Sequence, residues 1–172
     1  ASAGRLRAAR AATILGASPG PLARRAGPGP ARGDPSMTEL RKTRMSTARR
    51  LARRASYDRE TVHAILDAGL IAHVGHVVDG RPVVIPTAYW REGDHVYWHG
   101  SSKARMLRTL EAGAPACLEV TLLDALVVAR SAFHKSVNFR SVVLFGTPFK
   151  VEDPDEKREK LRAFVERVYP RR

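Results

Sequence analysis

One stretch decides the fold: residues 70–89, which read LIAHVGHVVDGRPVVIPTAY. Two apolar runs, 70–78 and 81–89, flank the dipeptide Asp79-Gly80. An Asp-Gly pair between such runs is a strong signal for a β-hairpin with a two-residue turn. The stretch therefore predicts two antiparallel strands.

Further strands are predicted on the C-terminal side of this hairpin. A turn over 91–94 leads to a strand over 96–99, and later strands cover 116–122, 126–130, 137–145 and 147–151. The pair 116–122 and 126–130 is predicted to turn at Asp124-Ala125, where an acidic residue interrupts the apolar run. Six or seven consecutive, mostly antiparallel strands indicate a mainly β fold, a small closed or partly closed β-barrel with short helices at its corners.

Three short helices are predicted around these strands. Ser56 or Asp58 can cap the first, which ends near Gly69, and the second follows residue 102. The third begins at Asp153-Pro154, because a capping acid followed by proline is a strong helix start. Its apolar face is predicted to hold Leu161, Phe164, Val165 and Val168.

Charge divides the chain of 172 residues into two parts. Residues 1–54 hold 13 of the 30 Lys and Arg but only 2 of the 17 acidic residues, so the remainder has 17 basic and 15 acidic residues. The net charge of +13 therefore belongs to a basic leader, and the nearly neutral remainder does not indicate a nucleic-acid-binding surface.

The leader, residues 1–54, is rich in Ala, Arg, Gly and Pro and is predicted to be disordered. Its low acid content resembles an organelle transit peptide, but we favour a start called too far upstream, with translation beginning at Met37 or Met45. Residues 55–172 are then the folded domain. No apolar run approaches the roughly 20 residues that span a bilayer, and the single Cys117 can form no internal disulfide, which fits a cytoplasmic protein.

A possible phosphate site lies at residues 99–110, HGSSKARMLRTL, where a strand joins a helix. Ser101 or Ser102 can cap that helix, whereas Lys103 and Arg105 are misplaced for helix stability, since the first turn prefers acids. Amides, hydroxyls and cations together at a helix start can bind a phosphate. The alternative is a solvated basic turn that leads into a surface helix.

A second polar stretch, residues 129–146, reads ARSAFHKSVNFRSVVLFG and lies between two apolar strands. Such polar density is costly unless it faces a polar partner. No nucleophile elbow, phosphate-binding P-loop or dinucleotide-binding glycine turn is present, so a hydrolase, P-loop or Rossmann site is not supported. His73 and His76 are three apart in a strand and point to opposite faces, so they cannot share a metal. His99 is either a ligand contact or a strand-end histidine bonded to backbone.

Several motifs together resemble the pyridoxamine 5′-phosphate oxidase-like flavin-binding family, in its flavin-nucleotide-binding, nitroimidazole-resistance-like subgroup. The most specific is the run ARS-x-FH-x-S-x-N-F-RSV over 129–142, and the resemblance spans about residues 57–169. Weaker matches are the segments 84–87 (VIPT), 99–101 (HGS), 105–108 (RMLR) and 123–124 (LD).

The resemblance implies an FMN-binding split barrel that forms a homodimer, with FMN in a cleft at the subunit interface. Strand 84–88 would pass the flavin ring, Ser101, Lys103 and Arg105 would hold the phosphate, and the second polar stretch would line the cleft. The implied cofactor-binding residues are Ile85, Pro86, Thr87, His99, Gly100, Ser101, Ser102, Lys103, Arg105, His134, Ser136, Asn138 and Arg140. The sequence departs from the family at two places. Ala104 stands where a serine is usual, and the chain ends shortly after Tyr169, where relatives continue. The C-terminal part of the domain is therefore expected to be truncated.

The implied function is that of a flavin-dependent oxidoreductase that transfers a hydride or electrons to a small molecule or from a reduced nicotinamide. His134 is the candidate proton donor. The alternative is a non-catalytic carrier of flavin or haem, or a stress protein. No metal, nucleic-acid partner or membrane partner is expected.

Overall fold

The structure, a computed structural model, describes residues 2–7, 11–16 and 39–170. These residues form nine strands and three α-helices. The strands are β1 (Ser2–Arg7), β2 (Ala11–Gly16), β3 (Ala55–Ser56), β4 (Ile71–Val78), β5 (Arg81–Glu92), β6 (His95–Gly100), β7 (Ala116–Val127), β8 (Ser136–Gly146) and β9 (Phe149–Lys150). The helices are α1 (Arg59–Ala68), α2 (Arg105–Glu111) and α3 (Pro154–Val168), with 3₁₀ turns at Ala52–Arg54 and Ala132–His134.

The predicted hairpin is confirmed as β4 and β5, which pair from Ile71↔Ala88 to Val78↔Arg81. Asp79 and Gly80 both have positive φ angles, 49° and 74°. Two consecutive left-handed residues form the turn that matches the twist of an antiparallel hairpin. The second predicted turn is shorter than 91–94, because β5 extends to Glu92.

Strand β5 belongs to two sheets, and this makes the barrel a split one. Its residues 81–88 pair with β4, whereas 89–92 pair with β6. The strand order is β3-β2-β8-β7-β4-β5-β6-β1-β9, and neighbouring strands in this order are antiparallel. The predicted mainly β barrel with short corner helices is therefore confirmed.

Successive side chains of β6 alternate between two apolar clusters, one on each face of the strand. Val96 and Trp98 point into the main core, which α1 covers, whereas Tyr97 points into a smaller cluster under α3. The main core also holds fully buried residues of the barrel strands and of α1, including Val62, Ile65, Leu66, Val74, Leu118, Val120, Val142 and Leu144. This burial fixes the register of strands β4 to β8, since a slip of one residue would expose their apolar faces.

The helix starts are confirmed at α1 and α3 and wrong at α2. The Asp58 carboxylate accepts a hydrogen bond from the Thr61 amide at 2.8 Å, and Asp153 accepts from the Glu156 amide at 2.7 Å. At α2 neither predicted serine is the cap: Ala104 holds that position and offers no side-chain oxygen. On α3, Val165 is 53% exposed, so the buried face is narrower than predicted.

The predicted turn at Asp124-Ala125 is wrong, because β7 runs unbroken from Ala116 to Val127 along β8. The pairing shifts by one residue between Leu123 and Ala125, which leaves Asp124 as a bulge. A bulge inserts one extra residue without ending the strand. The acidic residue that resembled a turn signal is instead held by a partner on β8, described below.

The leader contains regular structure that the sequence does not predict. β1 pairs with β6 and β9, and β2 pairs with β8 and β3. A strand added to a sheet edge gains main-chain hydrogen bonds, which do not depend on apolar side chains. Residues 39–57 also contact the domain, with Leu40 3% exposed. Met37 lies outside the described residues, and the start site and the boundary at residue 54 stay predictions.

Candidate functional site

The candidate site lies where β5 and β6 separate. Their ladder runs from Glu92↔His95 to Tyr89↔Trp98 and ends there. Continued by two residues, this register would place Thr87 opposite Gly100. Within the described residues, 81–88 pair with β4 alone, so the second backbone edge of Ile85, Pro86 and Thr87 has no strand partner. The predicted segment 85–87 and the predicted turn after β6 thus both lie just past the point where this ladder ends.

The turn from Gly100 to Arg105 is compact, and its hydroxyls face outward. A Cβ on Gly100 would lie 3.2 Å from Cδ1 of Leu107, so the backbone passes close to α2. The Ser101 hydroxyl oxygen accepts from the Lys103 amide at 3.2 Å, and the Ala104 amide donates to the Ser101 carbonyl at 2.9 Å. Because the Ser101 hydroxyl acts as acceptor within the turn, its own hydrogen can be donated to a ligand.

Lys103 and Arg105 supply the positive charge of this turn. Ser101, Ser102, Lys103 and Arg105 are all exposed. Within the described ranges, no acidic side chain forms a salt bridge with Lys103 or Arg105. Since α2 has only seven residues, the side chains rather than a helix dipole supply the positive charge. This arrangement can bind a phosphate.

His99 is directed away from that turn. Its ring lies 4.7 Å from the Phe164 ring and 6.2 Å from the Trp90 ring, in the cluster under α3. Its Nδ1 is buried and has no hydrogen-bond partner in the described part of the chain. The imidazole therefore packs between strand and helix, and only the backbone of His99 borders the turn.

The second predicted group lies on β8 and is organised by the bulge in β7. Nε of Arg140 lies 3.1 and 3.0 Å from the two carboxylate oxygens of Asp124, and one terminal nitrogen lies 2.8 Å from Oδ1. The hydrogen bonds from Arg140 lower the pKa of Asp124, and the same contact raises the pKa of Arg140. Sequence reasoning assigned Asp124 to a turn and missed this pairing; its spacing from Arg140 on neighbouring strands was the available signal.

Asn138 is close to this pair along β8, and its Oδ1 is buried without a hydrogen-bond partner among the described residues. A buried amide oxygen of this kind is costly unless a donor reaches it. Ser136, at the start of β8, is exposed. These side chains can offer both donors and acceptors to a polar ligand.

His134 lies at the tip of the same hairpin and is exposed. The centres of its ring and the Phe133 ring are 5.6 Å apart, with the two rings nearly perpendicular, and Phe133 itself is 90% exposed. Within the described residues no side-chain hydrogen bond orients the imidazole, so its assignment as a proton donor stays a prediction.

The two groups of predicted site residues, at 99–105 and 134–140, do not lie on neighbouring strands of the chain. Strands β7, β4 and β5 lie between β8 and β6 in the sheet order. The turn at 99–105 and the hairpin at 134–140 are therefore two separate clusters of predicted site residues.

His73 and His76 lie on opposite faces of β4, as the strand pattern predicts. His73 is exposed and lies 3.2 Å from a Glu119 oxygen, whereas His76 is buried at 5% exposure. In residues 2–7, 11–16 and 39–170, no three His, Cys, Asp or Glu side chains are placed to hold a metal ion. None of the described helices has the length and hydropathy to cross a membrane.

The strand order, the antiparallel pairing and the division of β5 between two partners define a split β-barrel. Residues 58–172 match the family model described as pyridoxamine 5′-phosphate oxidase, and the chain belongs to this family. The family resemblance read from the sequence is thus confirmed.

Solved structures agree with this assignment. The flavocytochrome Anf3 from Azotobacter vinelandii is 50% identical, with a TM-score of 0.69, over 74% of this chain and 59% of that one. The FAD and heme binding protein from Mycobacterium smegmatis is 44% identical, with a TM-score of 0.63, over 67% of this chain and 56% of that one. The chain thus spans less than two thirds of either relative.

A third structure shows the same fold at lower identity. A candidate 5-nitroimidazole antibiotic resistance protein from Bacteroides thetaiotaomicron VPI-5482 is 22% identical, with a TM-score of 0.58, over 67% of this chain and 69% of that one. The comparison with curated proteins found no match.

Proposed function

We propose that the protein is a flavin-binding oxidoreductase of the cytoplasm that holds FMN at the split between β5 and β6. The observation that carries the proposal is the pair of exposed cations, Lys103 and Arg105, without an acidic partner in the described part of the chain. Further support comes from the family match and from two relatives that are a flavocytochrome and an FAD and heme binding protein.

The residues of the turn would bind the cofactor phosphate. Lys103 and Arg105 supply charge, and the hydroxyls of Ser101 and Ser102 supply hydrogen bonds. The open backbone edge of residues 85–87 can donate and accept along the polar edge of a flat ring. When bound, the flavin supplies the hydride and electron chemistry, and the protein supplies its position and the surrounding charge.

We also propose that the protein acts as a homodimer, in which the hairpin of one chain completes the site of the other. The hairpin exposes Leu123, Leu126 and Val128 at 66%, 69% and 85%, in addition to Phe133. Contiguous apolar exposure of this kind marks an interaction surface. A second chain would also bring Asn138 and Arg140 to a cofactor that their own chain holds three strands away.

The second candidate function is a carrier that binds flavin or haem without catalysis. It is favoured by one observation at the site: the backbone amide of His134 donates to the Ser131 carbonyl at 3.2 Å, but within the described residues no side-chain hydrogen bond orients its imidazole, the one proton donor that we assign. One of the two relatives is named as a heme binding protein and the other as a flavocytochrome, which makes an exposed histidine a candidate haem ligand in this alternative.

The absorption spectrum of the purified full chain distinguishes these functions. Flavin bands together with oxidation of NADH or NADPH support the oxidoreductase, whereas flavin bands without that oxidation, or a Soret band, support the carrier. A protein that cannot be loaded with either cofactor after unfolding and refolding in their presence contradicts both functions.

A further inference from the structure

A basic segment, residues 41–54, lies just before α1 and has no role in the site described above. It contains seven cations and no acidic residue: Arg41, Lys42, Arg44, Arg49, Arg50, Arg53 and Arg54. In contrast, residues 55–172 carry 17 basic and 15 acidic residues. The positive charge is therefore local, and it needs a local explanation.

The basic segment is fastened to the domain by buried groups. Leu40 is 3% exposed, and its amide donates to the Tyr57 carbonyl at 2.7 Å. The Tyr57 hydroxyl donates to the Ser46 carbonyl at 2.9 Å and accepts from the Ala48 amide at 2.8 Å. The segment is thus tied to the domain at its start and in its middle, so its side chains are presented in a defined arrangement.

The first turn of the segment presents an arginine and a methionine. The Thr43 amide donates to the Ser46 hydroxyl at 2.9 Å, and the Ser46 amide donates to the Thr43 hydroxyl at 3.1 Å. Arg44 and Met45 lie between these residues at the tip of the turn, and both are exposed, Met45 at 67%. Packing against the core therefore does not explain this methionine.

The second turn presents a leucine between two pairs of arginines. The Arg54 amide donates to the Leu51 carbonyl at 2.8 Å, which closes the turn. Leu51 is 47% exposed and has a φ angle of 54°, in the left-handed region that is unfavourable for a residue with a side chain. Arg49, Arg50 and Arg53 on either side of it are exposed. Neither burial nor backbone conformation favours a leucine at this position.

The arginines carry most of the charge of the segment. Lys42 pairs with Glu39 at 2.8 Å and lies 4.7 Å from the centre of the Tyr57 ring. Within the described ranges, the six arginines form no salt bridge with an acidic side chain. Crowding like charges on a fixed segment is unfavourable, and an anionic partner removes that repulsion.

We propose that the basic segment binds the surface of an anionic lipid bilayer, with its arginines at the headgroup phosphates and the side chains of Met45 and Leu51 inserted below them. Clusters of Lys and Arg are attracted to anionic lipid, and exposed apolar side chains strengthen the contact when they leave water. A single-stranded nucleic acid would instead require exposed aromatic side chains for stacking, and the segment contains no aromatic residue.

This contact at a membrane surface needs no helix that crosses the bilayer, and it does not depend on the flavin site. It replaces the expectation from the sequence that the protein has no membrane partner. That expectation treated the leader as disordered, whereas the structure fixes two turns that each present an apolar side chain among arginines.

Sedimentation of the full chain with lipid vesicles tests the proposal. We expect vesicles of phosphatidylcholine and phosphatidylglycerol to bind at least about tenfold more tightly than vesicles of phosphatidylcholine alone, and high salt to weaken that binding. R49A/R50A should weaken binding to the anionic vesicles at least about tenfold. The matched control, R158A/R162A, removes two exposed arginines from α3 and should change the affinity by less than about twofold.

L51G tests the apolar contact without a risk to the fold. Glycine adopts the left-handed conformation freely, so L51G should unfold at the same urea concentration as the wild type or at a higher one. It should nevertheless bind anionic vesicles at least about fivefold more weakly, because the leucine side chain no longer leaves water on binding. V165A, at an exposed position of α3, is the matched control and should bind as the wild type does.

The proposal is overturned if vesicles of both compositions bind equally, if R49A/R50A and R158A/R162A weaken binding equally, or if L51G binds anionic vesicles as the wild type does. Tighter binding of a single-stranded oligonucleotide than of anionic vesicles, compared at equal concentrations of phosphate, would also overturn it and identify a nucleic acid as the partner.

Discussion

Arg167 joins the C-terminal helix α3 to the end of α1 through hydrogen bonds. The loss in the free energy of unfolding on its removal can be calculated from these contacts. One terminal nitrogen of its guanidinium lies 2.7 Å from the Asp67 carbonyl oxygen, 2.6 Å from that of Gly69 and 3.3 Å from that of Leu66. These carbonyls belong to the end of α1, where helix geometry leaves carbonyl groups without partners. An arginine from α3 thus caps a helix about 100 residues earlier in the chain.

The expected loss on R167A follows from these contacts. A hydrogen bond from a charged donor contributes about 1.5–3 kcal/mol. Two of the three contacts are short, but the side chain is 21% exposed, and water can reach the helix end once the arginine is removed. We therefore expect R167A to lower the free energy of unfolding by about 2–3 kcal/mol, and R167K by about half as much, since lysine lacks the planar fork.

Urea unfolding followed by tryptophan fluorescence measures this loss, because Trp90 packs 5.3 Å from Phe164 of α3 and reports on that helix. R162A, an exposed arginine of the same helix, is the control and should change stability by less than about 0.5 kcal/mol. Equal unfolding midpoints for R167A and R162A would refute the assignment of Arg167 as the cap of α1.

Three further predictions concern the barrel. Because Arg140 lowers the pKa of Asp124, the pair stabilises the fold at pH values above the ordinary aspartate pKa of about 3.9. The difference in the free energy of unfolding between wild type and D124N should therefore shrink as the pH falls below that value. Urea titrations at several pH values measure this difference. L118A, at a fully buried position, should cost about 3 kcal/mol in the same assay, whereas V165A, at a position of α3 that is 53% exposed, should cost less than about 0.5 kcal/mol. Y89F removes the hydrogen bond of 2.6 Å to the Leu66 carbonyl and should cost about 1 kcal/mol, measured by thermal unfolding.

The predictable parts of the fold were those with local signals. The Asp79-Gly80 turn and the caps at Asp58 and Asp153 each follow from residues within a few positions of one another, and the structure has them where the sequence predicts. Asp124 shows the limit of local reasoning: an acidic residue in an apolar run has the same local pattern in a turn and in a bulge. Only its contact with Arg140, 16 residues later, separates the two.

The candidate site was predictable to the level of segments and not of side chains. The sequence places His99 beside a cationic turn. Because side chains alternate along β6, however, its ring lies on the face away from the main core, in contact with Phe164. The separation of the turn at 99–105 from the hairpin at 134–140 depends on the strand order, which no local pattern encodes. Strands β1 and β2 were missed because edge pairing through the main chain leaves little trace in composition.

The most direct test of the flavin proposal compares FMN with riboflavin on the K103A/R105A variant, because only FMN carries the phosphate. We expect the dissociation constant for FMN to rise at least about tenfold and that for riboflavin to stay within about twofold. The same change in both dissociation constants, or no change in either, would contradict the assignment of this turn as the phosphate site.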